Sequence, residues 1–270
     1  MEKGIVNSHL IEFGYELAAV VPYAYYLHRK GLLKKTISGV DTKFLYYFSP
    51  EHIEVQGRRS WDNMSKALRD KIPNVGIHKK HLDYSKWLPP NYAAQYYNKD
   101  VEEMFSKPIL VISNKKHLEW NKGYYNTFNE GVLNEIFGLL YKDYSIIYND
   151  LSLVDQRKYN DTRDYERYDV NELLWLYNIH RIDKVMDMLS VNDYNLAQLI
   201  LFSSANCFIS VQGGGSIFAS YFKKPHLIYA NKGNELKCGS FDGWYQRLSD
   251  GNVIVSQTHE DLIKKIKENF

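Results

Sequence analysis

The chain has 270 residues, of which 44% are hydrophobic and 24% are charged, and its formal net charge is +2. That composition is typical of a globular protein with a sizeable core, and the length allows one large domain or two small ones. The small net charge argues against nucleic acid or an anionic membrane as a partner. The two cysteines, Cys207 and Cys238, form neither a disulfide framework nor a zinc spacing, which favours a reducing compartment. Without a signal-peptide pattern or an apolar run long enough to span a bilayer, we expect a cytoplasmic protein.

The first hundred residues have the pattern of an α/β unit. A strand is predicted over residues 4–10, a helix over 17–27 that Pro22 kinks or breaks, and a second strand over 43–48. A loop rich in aromatic residues follows at 83–92, where two adjacent prolines exclude a helix or a central strand, and a helix is predicted over 93–105. The order strand, helix, strand is typical of one half of a Rossmann-like fold.

A second unit of the same kind begins after residue 108. Strands are predicted over 109–113 and 144–148 and helices over 129–140 and 194–203. They are followed by a strand at 207–211, a run of three glycines, a helix, strands at 226–229 and 253–256, and a terminal helix at 262–269 capped by Thr258. We therefore predict an α/β fold of two Rossmann-like halves that face a cleft. The domains are placed at 1–106 and 107–270, with the terminal helix free to cross back onto the first half.

The stretch that points to a ligand is the glycine turn, defined as Gln212, Gly213, Gly214, Gly215 and Ser216. Glycine permits positive φ and lets a ligand approach bare backbone, and the start of the next helix offers N–H groups and a positive dipole end to an anion. We predict that these N–H groups and the Ser216 hydroxyl bind the phosphates of a nucleotide or nucleotide-sugar. The alternative is a tight connection without a ligand. The pattern matches neither the dinucleotide fingerprint nor the P-loop.

Further candidates for binding the same ligand lie at the ends of other strands, because parallel strands bind ligands at their carboxyl ends. After the first strand of the second half, Asn114, Lys115 and His117 are expected to contact a phosphate or ribose. At the end of the next strand, Tyr148 and Asn149 are expected to border a nucleobase. Gln198, on the helix before the glycine turn, is a further candidate. For Lys115 the alternative is an exposed basic turn.

Three stretches resemble a known class of enzyme. They are residues 13–17 running into 22–27, residues 112–115 with 119–121, and residues 208–216 with 220–222. Together they resemble the GT-B class of glycosyltransferases, and within it the small enzymes of large algal viruses, such as chlorella-virus xylosyltransferases, and of bacterial surface-glycan clusters. The resemblance implies that the C-terminal half binds a nucleotide-sugar and the N-terminal half binds a glycan acceptor. It also implies transfer with inversion, xylose as one sugar to test, and the host cytoplasm as the location if the chain is viral.

The sequence contains no Asp-x-Asp pair. Metal-dependent glycosyltransferases of the other large class commonly use such a pair to hold a divalent cation on the diphosphate. GT-B enzymes instead offset the charge of the leaving group with helix ends, backbone amides and side-chain donors. The resemblance therefore implies an enzyme without a metal or a cofactor, whose co-substrate is a nucleoside-diphosphate sugar, with a UDP-sugar as the first guess.

An inverting transfer needs one general base beside the acceptor hydroxyl. Three carboxylates in the first half are candidates for this base: Glu16, Asp83 and Asp62. The alternatives are that Glu16 complements a helix N-terminus, that Asp83 has a role in a turn and that Asp62 caps a helix. Candidate acceptor-binding residues are Tyr15, Arg59, Trp87 and Tyr92, among which the aromatic rings can stack on a sugar.

Two other functions fit the same phosphate site. One is a hydrolase or epimerase that acts on nucleotide-sugars and needs no acceptor subsite. The other is a non-catalytic protein that binds a nucleotide or a glycan. The histidines other than His117 show no pairing pattern, so each is expected to be structural or exposed.

Overall fold

The computed structural model describes residues 4–57, 59–60, 71–119, 123–150, 166 and 168–270. The strands of these residues form two parallel sheets. The first sheet lies within the predicted first half and has three strands in the order β1 (Gly4–Asn7), β2 (Leu33–Gly39) and β3 (His52–Val55).

The second sheet lies within the predicted second half and has six strands. They are β4 (Ile109–Asn114), β5 (Ser145–Asp150), β6 (His180–Arg181), β7 (Cys207–Val211), β8 (His226–Tyr229) and β9 (Val253–Ser256). Their spatial order is β6-β5-β4-β7-β8-β9, and every neighbouring pair is parallel. The order reverses between β4 and β7, and open sheets of this kind bind ligands at that reversal, outside the carboxyl ends of the strands.

Helices cover both faces of the second sheet, which is why its strands are continuous apolar runs. In β4, Leu110 and Ile112 belong to one buried cluster and Ile109 and Val111 to the other, the alternation that a strand requires. No helix in the described ranges is long and apolar enough to cross a bilayer. Within the described residues, the α-helices of more than three residues are Val21–Arg29, Tyr92–Tyr96, Lys99–Glu103, Glu130–Leu140, Asn171–Leu176, Ile182–Leu189, Tyr194–Ser204, Gly214–Ser220, Asn234–Lys237, Trp244–Ser249 and His259–Asn269.

The predicted strand at 43–48 is wrong, because Lys43–Tyr46 forms a 3₁₀ turn. The strands of this region are β2 and β3, which the hydrophobic pattern did not predict. The inward residues of β2 include the polar Thr36 and Ser38, so the strand lacks an apolar alternation. Their hydroxyls lie 2.7 and 3.1 Å from the ring nitrogens of His52, which satisfies these groups inside the protein.

Pro22 does not break the first helix. Helical backbone runs from Phe13–Tyr15 through a π-helical turn, Glu16–Val20, into Val21–Arg29. Pro22 is the second residue after the wider turn, where a missing backbone N–H costs least. The helix predicted over 93–105 is divided into Tyr92–Tyr96 and Lys99–Glu103, because Asn98 caps the second one by accepting the N–H of Asp100 at 2.9 Å.

The two halves share one hydrophobic core. Tyr92 of the first half is fully buried, donates to the carbonyl of Leu45 at 2.8 Å and packs its ring against Phe218, Tyr221 and Phe222 of the second half. The predicted domain division at residue 106 falls between the two sheets and stays a prediction.

The backbone of residues 77–80, here called the strap, joins the two halves a second time through hydrogen bonds from residues 240–244. The carbonyl of Ile77 accepts from Trp244 Nε1 at 3.1 Å, and the carbonyl of Lys79 accepts from Ser240 Oγ at 3.2 Å. The carbonyl of Lys80 accepts from the backbone N–H of Trp244 at 3.0 Å. Gly243 makes this approach possible, because a β-carbon at that position would lie 1.7 Å from the carbonyl oxygen of Lys80.

We expect Gly243→Ala to destabilise the protein by about 2 kcal/mol, because the added methyl group collides with backbone that cannot move aside. For a chain of this size that lowers Tm by several degrees, roughly 2–4 °C for each kcal/mol. Gly76→Ala is the matched control, since a β-carbon at Gly76 meets nothing within 4 Å. Equal Tm values for the two variants in a thermal melt would show that the strap does not hold the halves together.

Candidate active site

The carboxyl ends of β4 and β7 meet where the strand order reverses. β4 ends at Asn114 and is followed by Lys115, and β7 ends at Val211 and is followed by the glycine turn. The Lys115 ammonium nitrogen lies 3.0 Å from the position that a β-carbon on Gly213 would occupy. Two groups of predicted donor-binding residues, from separate parts of the chain, therefore lie side by side.

The surroundings of the three glycines in the turn differ, and so does the need for glycine at each position. Gly213 has a φ of 141°, which favours glycine, and the Lys115 ammonium fills the space beside it. A β-carbon on Gly214 would lie 3.1 Å from the Phe13 ring and 3.5 Å from the backbone nitrogen of Gly14, so this glycine permits close packing of the halves. A β-carbon on Gly215 would meet only Ser113 Cβ, at 4.0 Å. Packing therefore does not require a glycine at 215, and its half-buried backbone is left open beside Lys115 and Gly213.

Ser216 is fully buried and its hydroxyl closes the turn. Ser216 Oγ accepts from the Gly213 N–H at 3.1 Å, donates to the Gly213 carbonyl at 2.8 Å and lies 3.0 Å from the Tyr245 hydroxyl. The structure thus gives Ser216 a structural role instead of the predicted contact with a diphosphate. It also uses the N–H of Gly213 inside the turn, and Gly214 packs against the first half, so the backbone open to a ligand is that of Gly215.

Lys115 is buried, which excludes the alternative of an exposed basic turn. Its ammonium donates to Glu119 Oε1 at 2.9 Å, and Glu119 Oε2 accepts from the backbone and side-chain N–H groups of Asn126 at 3.0 and 2.8 Å. Asn126 Oδ1 in turn accepts from the backbone N–H of Asn231 at 2.8 Å, in the loop after β8. An ammonium has three N–H donors and Glu119 uses one, so Lys115 is fixed in place and can also donate to a ligand oxygen.

Gln212 connects the glycine turn to the first half through a chain of side chains. Its Nε2 donates to Glu235 Oε2 at 2.6 Å, and that oxygen lies 3.9 Å from His78 Nδ1. His78 Nε2 lies 2.6 Å from the Tyr15 hydroxyl. Gln212 Oε1 is buried without a hydrogen-bond partner among the described residues, so it can accept from a bound ligand.

The predicted donor residues Asn149 and Gln198 lie in a buried network behind the glycine turn. Asn149 Nδ2 donates to Ser113 Oγ at 3.2 Å and to Gln198 Oε1 at 3.0 Å. Gln198 Nε2 donates to Asn195 Oδ1 at 3.1 Å, and the Asn195 amide donates to the backbone carbonyl of Asp41 at 2.7 Å. This network joins the second sheet to the first half, so both predicted residues act in holding the halves together.

Asn114, Tyr148 and His117 are also buried. The Asn114 amide donates to the carbonyl of Phe128 at 2.9 Å and to the Tyr148 hydroxyl at 3.1 Å, which orders the loop after β4. Burial raises the pKa of Tyr148 well above its ordinary value, so the phenol stays neutral. Asn114 and Tyr148 therefore lie in the interior and order the loop that carries Lys115. Neither is open to a ligand, whether the phosphate or ribose expected at Asn114 or the nucleobase expected at Tyr148.

Glu16, the first candidate for the general base, is fully buried in an ion pair. Its Oε1 accepts from Ser8 Oγ at 2.6 Å and from the Tyr46 hydroxyl at 2.8 Å, and its Oε2 accepts from the Arg59 guanidinium. The Arg59 Nε donates to the carbonyl of Ile11 at 3.0 Å. The structure therefore places Glu16 and Arg59 in a structural anchor inside the first half, away from the roles of base and acceptor ligand.

Asp83, the second candidate, is exposed and caps a 3₁₀ turn by accepting the N–H of Ser85 at 3.0 Å. Hydrogen bonds from the Ser85 side chain and backbone lower the pKa of the Asp83 carboxyl, which makes it a weaker base. Asp62, the third candidate, lies outside the described residues.

Trp87 and Tyr92 are not placed to stack on a sugar. Trp87 is buried and donates its indole N–H to the carbonyl of Ala18 at 2.8 Å, and Tyr92 lies in the shared core. Trp87 is buried against the first half and Tyr92 between the halves, so these two predicted acceptor residues are structural.

Two residues of this site were not predicted, His78 and Glu235. Glu235 belongs to the loop and short helix that follow β8, so the rule that ligands bind at carboxyl ends of parallel strands applied to it as much as to Lys115. His78 belongs to a segment without regular secondary structure, and only the strap to residues 240–244 brings it to the sheet edge. In the described residues no group of three or more His, Cys, Asp or Glu side chains is placed to hold a metal ion.

Two solved structures share this fold over almost the whole chain. The ADP-heptose lps heptosyltransferase II of E. coli matches with a TM-score of 0.56 and 9% identity, covering 99% of this chain and 98% of that chain. A glycosyl transferase family 9 protein from Veillonella parvula DSM 2008 matches with a TM-score of 0.50 and 8% identity, covering 99% of this chain and 90% of that chain. No family model and no curated protein matches the chain. The likeness confirms the predicted fold class, two Rossmann-like units arranged as in GT-B glycosyltransferases.

If the Glu16–Arg59 pair is an anchor, Glu16→Gln should destabilise the protein by about 3–5 kcal/mol, because it leaves the Arg59 charge buried without its partner. The matched control is Glu51→Gln, which breaks the surface pair with Lys35 and should cost less than about 1 kcal/mol. Urea unfolding measures both. A Glu16→Gln variant that unfolds like the wild type but has lost activity would restore Glu16 as the general base.

His226 shows the structural role expected of the histidines. It is buried between Ser210 Oγ at 2.7 Å and Ser220 Oγ at 3.3 Å, and burial lowers its pKa to about 3. The unfolded chain binds a proton near the ordinary pKa of about 6.5 and the folded chain does not, so stability is full above that pH and falls as the pH drops toward about 3.

We therefore expect the free energy of unfolding to fall by about 2 kcal/mol between pH 7 and pH 5 through His226 alone. His226→Gln should remove that part of the pH dependence in urea titrations, whereas His81→Gln, which changes an exposed imidazole, should retain it. Identical pH dependence in the His226 variant and the wild type would contradict the assignment.

Proposed function

We propose that this chain is a glycosyltransferase that binds a nucleoside-diphosphate sugar at the glycine turn and transfers the sugar to a glycan acceptor. The observation that carries the proposal is the open backbone at Gly215 beside the fixed Lys115 ammonium, at the strand-order reversal of the second sheet. Both structural neighbours are glycosyltransferases by name, which supports sugar transfer over the other functions that fit a phosphate site.

The site suits a diphosphate leaving group. In the transition state of glycosyl transfer, negative charge develops on the oxygen between the sugar and the diphosphate, and fixed donors stabilise it. Lys115 supplies a positive charge, and the Glu119–Asn126 network holds that charge in one position. Gln212 Oε1, buried and without a partner among the described residues, is available to a hydroxyl of the sugar or ribose.

The finer parts of the proposal follow from the sequence resemblance. They are a metal-independent and inverting reaction, a UDP-sugar as the first donor to test, xylose as one candidate sugar, and a cytoplasmic location. A hydrolase or epimerase of nucleotide-sugars would use the same donor site. The shared core between the halves favours the transferase, because it places residues of the first half, Tyr15 and His78, beside the donor turn where an acceptor must bind.

Gly215→Ala separates donor binding from folding. Gly215 lies in the helix Gly214–Ser220, so alanine should leave the fold intact. Alanine stabilises a helix by ~0.5–1 kcal/mol relative to glycine, so Tm should rise slightly. The methyl group would occupy the space left for the diphosphate. In the wild type a nucleotide-sugar at a hundred times its Kd should add ~2.7 kcal/mol of stability, and Gly215→Ala should lose most of that gain.

The measurement is a thermal-shift titration with UDP-xylose, UDP-glucose, ADP-glucose and GDP-mannose, with and without EDTA. Gly131→Ala is the matched control, a glycine-to-alanine change in the exposed first turn of the helix Glu130–Leu140, and should leave the donor-induced shift unchanged. The donor-site proposal fails if none of the four compounds shifts the wild-type Tm, or if Gly215→Ala keeps the full shift. A shift that EDTA removes would overturn metal independence only.

A further inference from the structure

We propose that Tyr15 and His78, with Glu235 beside them, form a proton relay that takes the proton from the acceptor hydroxyl. This inference rests on the proposed function and names a catalytic base other than Glu16 and Asp83. Glu16 is enclosed in an ion pair and Asp83 is an exposed turn cap with a lowered pKa, so neither is placed to act at the donor turn.

The relay is a line of three side chains, joined by one hydrogen bond and one ion-pair contact. The Tyr15 hydroxyl lies 2.6 Å from His78 Nε2, with the two rings edge to face. On the other side of the imidazole, Glu235 Oε2 lies 3.9 Å from Nδ1, close enough to pair with an imidazolium. Glu235 is itself held by Gln212 at 2.6 Å, so the line ends on the glycine turn where the donor binds.

The backbone on both sides of His78 is fixed. The carbonyls of Ile77 and Lys79 accept hydrogen bonds from Trp244 Nε1 and Ser240 Oγ of the second half. Tyr15 is fixed in the same way, because it follows Gly14, which packs against Gly214. Reacting groups held in one geometry need no reorganisation at the moment of proton transfer. Three segments distant in sequence are thus fixed around one half-buried imidazole.

The acceptor oxygen forms a bond to the anomeric carbon as the bond from that carbon to the diphosphate oxygen breaks, and the nucleoside diphosphate leaves with the bonding electron pair. The acceptor proton passes to the Tyr15 oxygen while the Tyr15 proton passes to His78 Nε2. The imidazolium is paired with the Glu235 carboxylate and returns its proton to solvent after the products leave. In this scheme Tyr15 touches the acceptor and is the catalytic residue, and His78 and Glu235 act through it.

The test measures how fast nucleoside diphosphate is released by Tyr15→Phe, His78→Gln and the wild type. The donor is the nucleotide-sugar that gives the largest thermal shift, and methyl glycosides serve as acceptors. A positioned base contributes roughly 10²–10⁴-fold to such a step, so each variant should lose that factor in kcat while the donor-induced thermal shift stays as in the wild type. In His78→Ala, added imidazole should restore part of the rate, which a purely structural histidine would not show.

The controls are His81→Gln, an exposed histidine of the same loop, and Tyr97→Phe, an exposed tyrosine bonded to Glu102. Both should keep the wild-type rate. A kcat within about threefold of the wild type in Tyr15→Phe or His78→Gln overturns the relay and leaves the donor site standing.

A spectroscopic arm does not depend on the acceptor. In protein labelled with ¹⁵N-histidine, Tyr15→Phe should move the Nε2 resonance of His78, and Tyr97→Phe should not. If the His78 resonances are the same in Tyr15→Phe and the wild type, the hydrogen bond is absent and the relay is overturned, whatever the outcome with nucleotide-sugars. By contrast, if no nucleotide-sugar raises the Tm of the wild-type protein, the proposed function is overturned.

Discussion

The close contact between two backbones, at Gly14 and Gly214, determines how the rest of the molecule is arranged. A β-carbon on either glycine would lie within 3.7 Å of the other residue's backbone, so the first helical turn of the N-terminal half rests directly on the turn after β7. Side chains of ordinary size would separate these elements. Because they touch, the residues on both sides of the contact, Tyr15 in one half and Gln212 to Gly215 in the other, belong to one site.

Two buried ion pairs among the described residues lie in different surroundings. The Glu16–Arg59 pair is surrounded by hydrogen bonds from Ser8, Tyr46 and Ile11 inside the first half, and it stabilises the helix start. The Lys115–Glu119 pair lies at the carboxyl ends of the strands of the second sheet, where the Lys115 ammonium fills the space beside Gly213. Burying an ion pair costs desolvation energy that its attraction does not always offset, and the position of this second pair beside the glycine turn supports the proposed donor site.

The predictions made from sequence succeeded where local pattern and burial agree. The apolar strands at 109–113 and 207–211, the helix at 129–140 and the terminal helix with its Thr258 cap all form within about three residues of the expected positions. They failed where the inward side chains are polar, as in β2, and where an aromatic run is buried without forming a strand, as at Lys43–Tyr46. Hydrophobic period alone cannot separate these cases.

The sequence by itself determined the class of fold and pointed to a candidate site at the glycine turn, because a strand, a glycine turn and a helix are local features with a definite ligand-binding geometry. Only the tertiary structure decided which polar residues face that site. Glu16, Trp87 and Tyr92 look like surface residues of a cleft in the sequence and are buried, whereas His78 and Glu235, 157 residues apart in the numbering, lie side by side. The reason is physical: the direction of a side chain depends on contacts between segments distant in sequence, such as the strap around Gly243, and no local pattern encodes those contacts.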